Sequence, residues 1–146
     1  ESVEMAVNAK AVLFLALCGL VYVSAYQEVL KATLQDCKGG KEITQEEVDE
    51  FVKPLIPKNE EERCLMACVF RAYNVIVDGH FDPKLAYGVA KNILHENPEK
   101  LKHIKETLDY CGHEIPTKMD NECDLAGEVM ACRNKYNKDH GYDQDP

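Results

Sequence analysis

The chain is 146 residues long, 45% hydrophobic and 29% charged, and its 26 acidic residues outweigh 17 basic ones for a formal net charge of −9. An acidic chain with no basic run has no electrostatic hold on a nucleic-acid backbone or an anionic membrane surface, so its partners are neutral, cationic or protein. The length suits one domain, and no internal repeat, low-complexity tract or Asn-x-Ser/Thr acceptor points to a second domain or to glycosylation.

The first element is a leader. Ala11 to Val23 is an apolar run of 13 residues, preceded by Lys10 and followed by the small residues Ser24 and Ala25. Such a run is too short to span a bilayer, and the order basic, apolar, small is that of a secretory signal peptide. Residues 1–25 are therefore expected to be removed, with Met5 as initiator, Glu1 to Glu4 upstream of it, and Tyr26 opening a mature domain of residues 26–146. Secretion implies an oxidising environment. Loss of the leader takes Cys18 with it and leaves Cys37, Cys64, Cys68, Cys111, Cys123 and Cys132. An even six in a secreted chain reads as three disulfides, with fifteen possible pairings, and no second close pair completes a zinc site.

Helix punctuation recurs along the mature chain. Residues 27–38 place Val29, Leu30, Leu34 and Cys37 at helical spacing and stop at Gly39-Gly40. Thr44 with Glu47 forms a capping box for a short second helix carrying Val48 and Phe51 and ending before Pro54. Asn59, followed by Glu60, Glu61 and Glu62, caps a third, whose Leu65, Met66, Val69, Phe70 and Tyr73 spread over more than one stripe. Val75-Ile76-Val77 is too short to be read as a strand and is assigned to the end of that helix.

Asp82-Pro83 opens a fourth helix, with Leu85, Val89, Ile93 and Leu94 inward. Asn97-Pro98 opens a fifth, with Leu101, Ile104, Leu108 and Cys111 inward and Gly112 as the expected stop. Asp120 or Asn121 caps a sixth helix that carries Leu125, Val129, Cys132 and Tyr136 on one side and Cys123, Ala126, Gly127 and Met130 on the other. Apolar groups all round place that helix in the middle of the domain. The expected fold class is all-α, a compact bundle of about six helices.

The cysteines sharpen this. Between them lie 26, 3, 42, 11 and 8 residues. Cys64 and Cys68 fall about 40° apart on one helix face, whereas Cys123 and Cys132 fall about 180° apart, so the sixth helix can be tied to two different neighbours. A leader, these gaps and six helical segments together closely resemble the insect odorant-binding proteins of the pheromone and general odorant-binding family, over essentially the whole mature chain. The resemblance implies the pairing Cys37–Cys68, Cys64–Cys123 and Cys111–Cys132, three interlocked disulfides. It also implies a central apolar cavity for one small lipophilic ligand. The function implied is a secreted, extracellular carrier of odorants or pheromones, in sensillum lymph or another body fluid, with an olfactory receptor complex as partner.

Pocket candidates are the apolar residues facing inward: Met66, Phe70 and Tyr73 on the third helix, Phe81 and Leu85 at the start of the fourth, Ile104 and Leu108 on the fifth, and Val129 and Met130 on the sixth. Inner faces serve core packing and ligand contact alike, and methionine suits a pocket that accepts varied shapes. Tyr73 offers a single hydroxyl to a ligand carbonyl or alcohol. His80 sits in the loop Asp78-Gly79-His80-Phe81, placed to flank a pocket mouth, although the acid-driven tail insertion of some family members is not expected. Residues 133–146 are almost wholly polar and lack an apolar stripe to enter a cavity.

No enzyme is expected. Beyond Ser24 the chain has no serine nucleophile, and it lacks the helical His-Asp pair and glycine-rich calcium loop of a secreted phospholipase. No cofactor, metal, nucleic acid or stable membrane insertion is expected, and the state is a monomer or weak dimer. The alternatives are a carrier of the same fold for hormones or plant compounds outside olfaction, and a secreted factor that binds a protein.

Overall fold

A computed structural model describes residues 25–53, 56–93 and 97–142. The expected leader falls outside them, except Ala25, as do Pro54, Leu94, His95 and residues 143–146. Among the described residues lie six helices: α1 over 25–37, α2 Gln45–Val52, α3 Glu60–Ala72, α4 Pro83–Ile93, α5 Pro98–Glu114 and α6 Glu122–Asp139.

The starts of α2 to α6 are made by the side chains the sequence offers for them. Asn59, Asp82, Asn97 and Asn121 each accept backbone N–H groups of the first turn that would otherwise lack partners. The end of α1 is a Schellman turn, in which Gly40 N donates to Gln35 O at 2.9 Å and Gly39 N to Asp36 O at 3.1 Å. Both glycines have positive φ, +70° and +83°, which a side chain would disfavour.

At α2 the capping box is closed in both directions: Glu47 N donates to Thr44 Oγ1 at 3.2 Å and Thr44 N to Glu47 Oε2 at 2.9 Å. Lys38 Nζ also donates to Glu47 Oε1 at 2.8 Å, tying the end of α1 to α2. The hydrogen bond from Lys38, and then that from Thr44 N, hold the Glu47 carboxyl down at about 2 against an ordinary 4.5. A carboxylate depressed in the folded state stabilises it above the ordinary value and loses that contribution as pH falls through the folded one. The pair is exposed, so the effect is small. An NMR titration of Glu47 should show the low midpoint, and Lys38→Met should move it back towards 4.5.

Two expectations are corrected. Val75-Ile76-Val77 does not finish α3, which stops at Ala72. Ile76–Val77 forms β1 and His80–Phe81 forms β2, an antiparallel hairpin with Ile76 opposite Phe81 and Val77 opposite His80. Asp78 and Gly79 both have positive φ, +50° and +74°, as the tight Asp-Gly hairpin turn requires. The second correction is Gly112, which does not end α5. The helix runs on to Glu114, and a Cβ at 112 would meet Pro83 Cγ at 2.6 Å, so this glycine lets the start of α4 lie against α5.

The core divides in two. Met66, Ala67, Ile76, Ile115, Leu125, Ala126, Val129 and Met130 form the larger cluster, where α3 crosses α6 over the hairpin. Leu30, Leu34, Ile43, Val48 and Val69 form the other, between α1, α2 and the opposite side of α3. As its two apolar sides require, α6 is central: it packs on α3 and on α5, and α4 reaches it chiefly by packing along α5.

Candidate functional site

Three disulfides hold the frame. Cys37–Cys68 joins α1 to α3, Cys64–Cys123 joins α3 to α6, and Cys111–Cys132 joins α5 to α6, with Cα separations of 5.8, 4.3 and 5.8 Å. The opposed cysteines of α6 thus reach two different helices. Beside Cys64–Cys123 the approach is close enough that a Cβ on Gly127 would lie 2.6 Å from Arg63 Cδ. Charge reinforces the crossing: Arg63 Nε lies 3.4 Å from Asp124 Oδ1, and Arg71 Nη1 donates to Glu122 Oε2 at 2.9 Å.

Glu122 also fixes the hairpin. Its Oε1 accepts from Gly79 N at 3.0 Å, while Met119 N donates to Gly79 O at 3.0 Å and His80 Nδ1 lies 2.8 Å from Thr117 O. The loop around His80 is therefore clamped to the segment before α6. Phe81, at its end, is held against the larger cluster.

The pocket candidates fall into three groups. Met66, Val129 and Met130 are buried in the larger cluster, and Phe70 and Phe81 pack on it half-buried. Tyr73, at the end of α3, packs on the other cluster, where its buried hydroxyl has no hydrogen-bond partner among the described residues. Tyr26 is its neighbour there, and burial, with Tyr73 nearby, raises the Tyr26 phenol above its ordinary value. Ile104 and Leu108 are half-buried on α5, and Leu85 on α4 is 45% exposed. They join neither cluster.

That last group belongs to a wider pattern. Among the described residues of α4 none is fully buried, and in α5 only Thr107 and Cys111 are. Leu85, Val89, Leu101, Ile104 and Leu108 of α4 and α5 keep contact with solvent, whereas α3 seals Met66, Ala67 and Val69 and α6 seals Leu125, Ala126, Val129 and Met130. Clefts occur elsewhere. One of about 390 Å³ is floored by Leu34, Ile43, Phe51 and Leu65 and rimmed by Lys38, just past α1, and by Glu46, Glu47 and Glu50 of α2. Another of about 450 Å³ is polar and lies around His103, Glu106 and Tyr142. None of the nine candidates lines either one.

The C-terminal segment stays outside the bundle as far as it is described. It prolongs α6 to Asp139 and then turns back, Tyr142 N donating to Asn137 O at 2.8 Å. The Tyr142 ring lies over His103 of α5 with centroids 3.6 Å apart, and His103 Nε2 is 3.0 Å from Asn137 Oδ1. His140 stacks on Tyr136 at 3.9 Å and is exposed.

One residue of interest went unremarked in the sequence. Arg133 opens the polar tail by composition, yet it continues the spacing of Ala126, Val129 and Met130 and is half-buried. Burial pushes its guanidinium below the ordinary arginine range, and no carboxylate offsets the effect. The missed signal was helical spacing, which carries the inward face of α6 past Cys132.

The comparisons agree with this architecture. A family model described as the PBP/GOBP family matches residues 21–136. General odorant-binding protein 19d of Drosophila melanogaster is 27% identical over 107 residues, which span 73% of this chain and 70% of that protein. The solved structure of odorant-binding protein dmelOBP28a, also from Drosophila melanogaster, superposes with a TM-score of 0.62 at 25% identity. The superposition covers 82% of this chain and 98% of that one.

Proposed function

The chain belongs to the PBP/GOBP family, and on that premise we propose that it is a secreted carrier that takes up one small lipophilic molecule, an odorant or pheromone, and delivers it to an olfactory receptor. In this reading residues 1–25 are the signal peptide and residues 26–146 the carrier domain. Both named relatives are odorant-binding proteins, which supports the assignment.

The observation that carries the reading is the unsealed apolar face of α4 and α5. A packed bundle buries such faces, and leaving them wet forfeits roughly 25 cal/mol for every Å². A lipophile lying between these helices and the core of α3 and α6 recovers that loss. Ile104, Leu108 and Leu85 then form one wall, Phe70 and Phe81 the other, and Met66, Val129 and Met130 the floor, with the Tyr73 hydroxyl as a polar contact. Uptake is partition alone, and no bond is made or broken.

A ligand burying about 200 Å² of apolar area gains roughly 5 kcal/mol before ordering costs. That alone corresponds to a Kd of order 0.1 mM. Tighter carriage requires a polar contact as well.

Displacement of a fluorescent apolar probe tests the proposal. With the disulfides intact, medium-chain alcohols and esters should displace the probe, and reduction should abolish binding. Failure of every lipophile tried would sink the carrier reading. Delivery to a receptor predicts expression in antennal tissue, and absence there would leave a carrier of other lipophiles.

A further inference from the structure

The cleft of about 390 Å³ between α1, α2 and α3 has no part in the carrier reading. Its volume falls in the range of roughly 300–1,000 Å³ usual for small-molecule sites. Its floor is apolar, with Leu34 and Ile43 sealed below and Phe51 and Leu65 half-buried and open to the cleft. Its rim is acidic. Glu46, Glu47, Glu50 and Phe51 lie three and four residues apart, so α2 turns one continuous stripe towards the cleft. Two of these acids are already engaged: Glu47 closes the capping box and accepts from Lys38 at 2.8 Å, and Glu50 pairs with the exposed Lys53. Glu46 takes no hydrogen bond and makes no ion pair among the described residues. Two lysines against three glutamates leave one negative charge uncompensated beside an apolar floor. The helix dipole accounts for acids in the first turn, Glu46 and Glu47, but not for Glu50 near the other end of an eight-residue helix.

We propose that this cleft binds a lipophilic primary amine in its ammonium form, with the ammonium between Glu46 and Glu50 and the hydrocarbon chain over Phe51 and Leu65. The site is separate from the face of α4 and α5 and does not depend on the carrier reading. An ammonium carries three donors and no acceptor, so two carboxylates one turn apart can share it. A neutral lipophile gains only the floor, and a lipophilic anion is repelled by the rim. The formal net charge of −9 favours the encounter with a cation. Because the rim carboxylates stand in water, the charged contact is modest and is weakened by salt. The volume and the single uncompensated charge favour a small monocation over a basic protein segment.

Octylammonium, octanol and octanoate, titrated separately into isotopically labelled oxidised protein at pH 7, provide the test by NMR. With octylammonium the amide signals of Glu46 and Glu50 and the methyl signals of Leu34, Ile43 and Leu65 should shift together and saturate. Binding read at these signals should be about fivefold tighter than for octanol, the upper range of one exposed charge pair, and octanoate should bind more weakly than octanol. Glu46→Gln combined with Glu50→Gln should bring octylammonium down to the level of octanol while leaving octanol within about twofold. Both side chains are exposed and neither closes the capping box, so the fold is kept. Equal binding of ammonium and alcohol by the unsubstituted protein overturns the inference, as does a preference that survives the double substitution. Absence of shifts, or the same shifts with ammonium chloride alone, overturns it too. A short basic peptide that moves these signals more than octylammonium at equal concentration would assign the cleft to a protein partner instead. Ile104 and Leu108 report the face of α4 and α5 separately in the same spectra, so failure of either reading is seen without the other.

Discussion

Replacing Cys64 and Cys123 together by serine should lower the unfolding free energy by about 4 kcal/mol in the chain-entropy account, a large part of the 5–15 kcal/mol typical of a domain. The reason is the sequence separation of 59 between the paired cysteines, the longest of the three. Without the cross-link the unfolded chain regains the freedom of that loop, while the folded state still has to hold α3 across α6. The same double substitution at Cys111 and Cys132, separated by 21 residues, should cost about 3 kcal/mol. Urea unfolding of both variants, with the slope fitted for each because a less constrained unfolded chain exposes more surface, reads the difference as the free energy extrapolated to water. A reversed order would mean that local packing around the sulfurs, not chain entropy, dominates.

The substitution Gly79→Ala should cost about 3 kcal/mol, although it adds one methyl group. Roughly 1–2 kcal/mol comes from forcing a side chain into the left-handed region at φ +74°. The remainder is steric, because the new Cβ would sit 2.5 Å from the Met119 carbonyl oxygen. That oxygen belongs to the backbone and cannot swing aside, so the hairpin must lift from the segment before α6. Lifting it strains the bonds of Gly79 to Glu122 and Met119 and loosens Phe81 from the larger cluster. Thermal unfolding should fall by about ten degrees or more. A change below one degree would show that the hairpin is not a rigid part of the bundle.

Much of this fold was legible in the chain because helix ends are local chemistry. Thr44, Asn59, Asp82, Asn97 and Asn121 announce their helices within three residues, and Gly39-Gly40 announces an end. The hairpin was legible too and was misread. Asp78-Gly79 between Ile76-Val77 and His80-Phe81 is a tight-turn signal, but two-residue strands give too little alternation to register.

Gly112 was misread for a different reason. A glycine near a helix end looks like a stop, and only the approach of Pro83 from another helix shows its use. The cysteine pairing needed the family resemblance, since spacing leaves fifteen possibilities. Pocket residues are the hardest to read, because burial in a core and burial against a ligand select the same side chains. Met66 and Met130 lie sealed in the core, while Ile104 and Leu108 lie half-open on α5, and no periodicity distinguishes the two situations.

The central claim is that a lipophile lies between α4 and α5 on one side and the core of α3 and α6 on the other. The most direct test is to follow the methyl NMR signals of Leu85, Ile104, Leu108, Val129 and Met130 as a twelve-carbon lipophile is added to the oxidised protein. The account predicts that these signals shift together and saturate at one ligand per chain. Shifts confined to the exposed methyls of Val29, Val52 and Val77, or none at all, would contradict it.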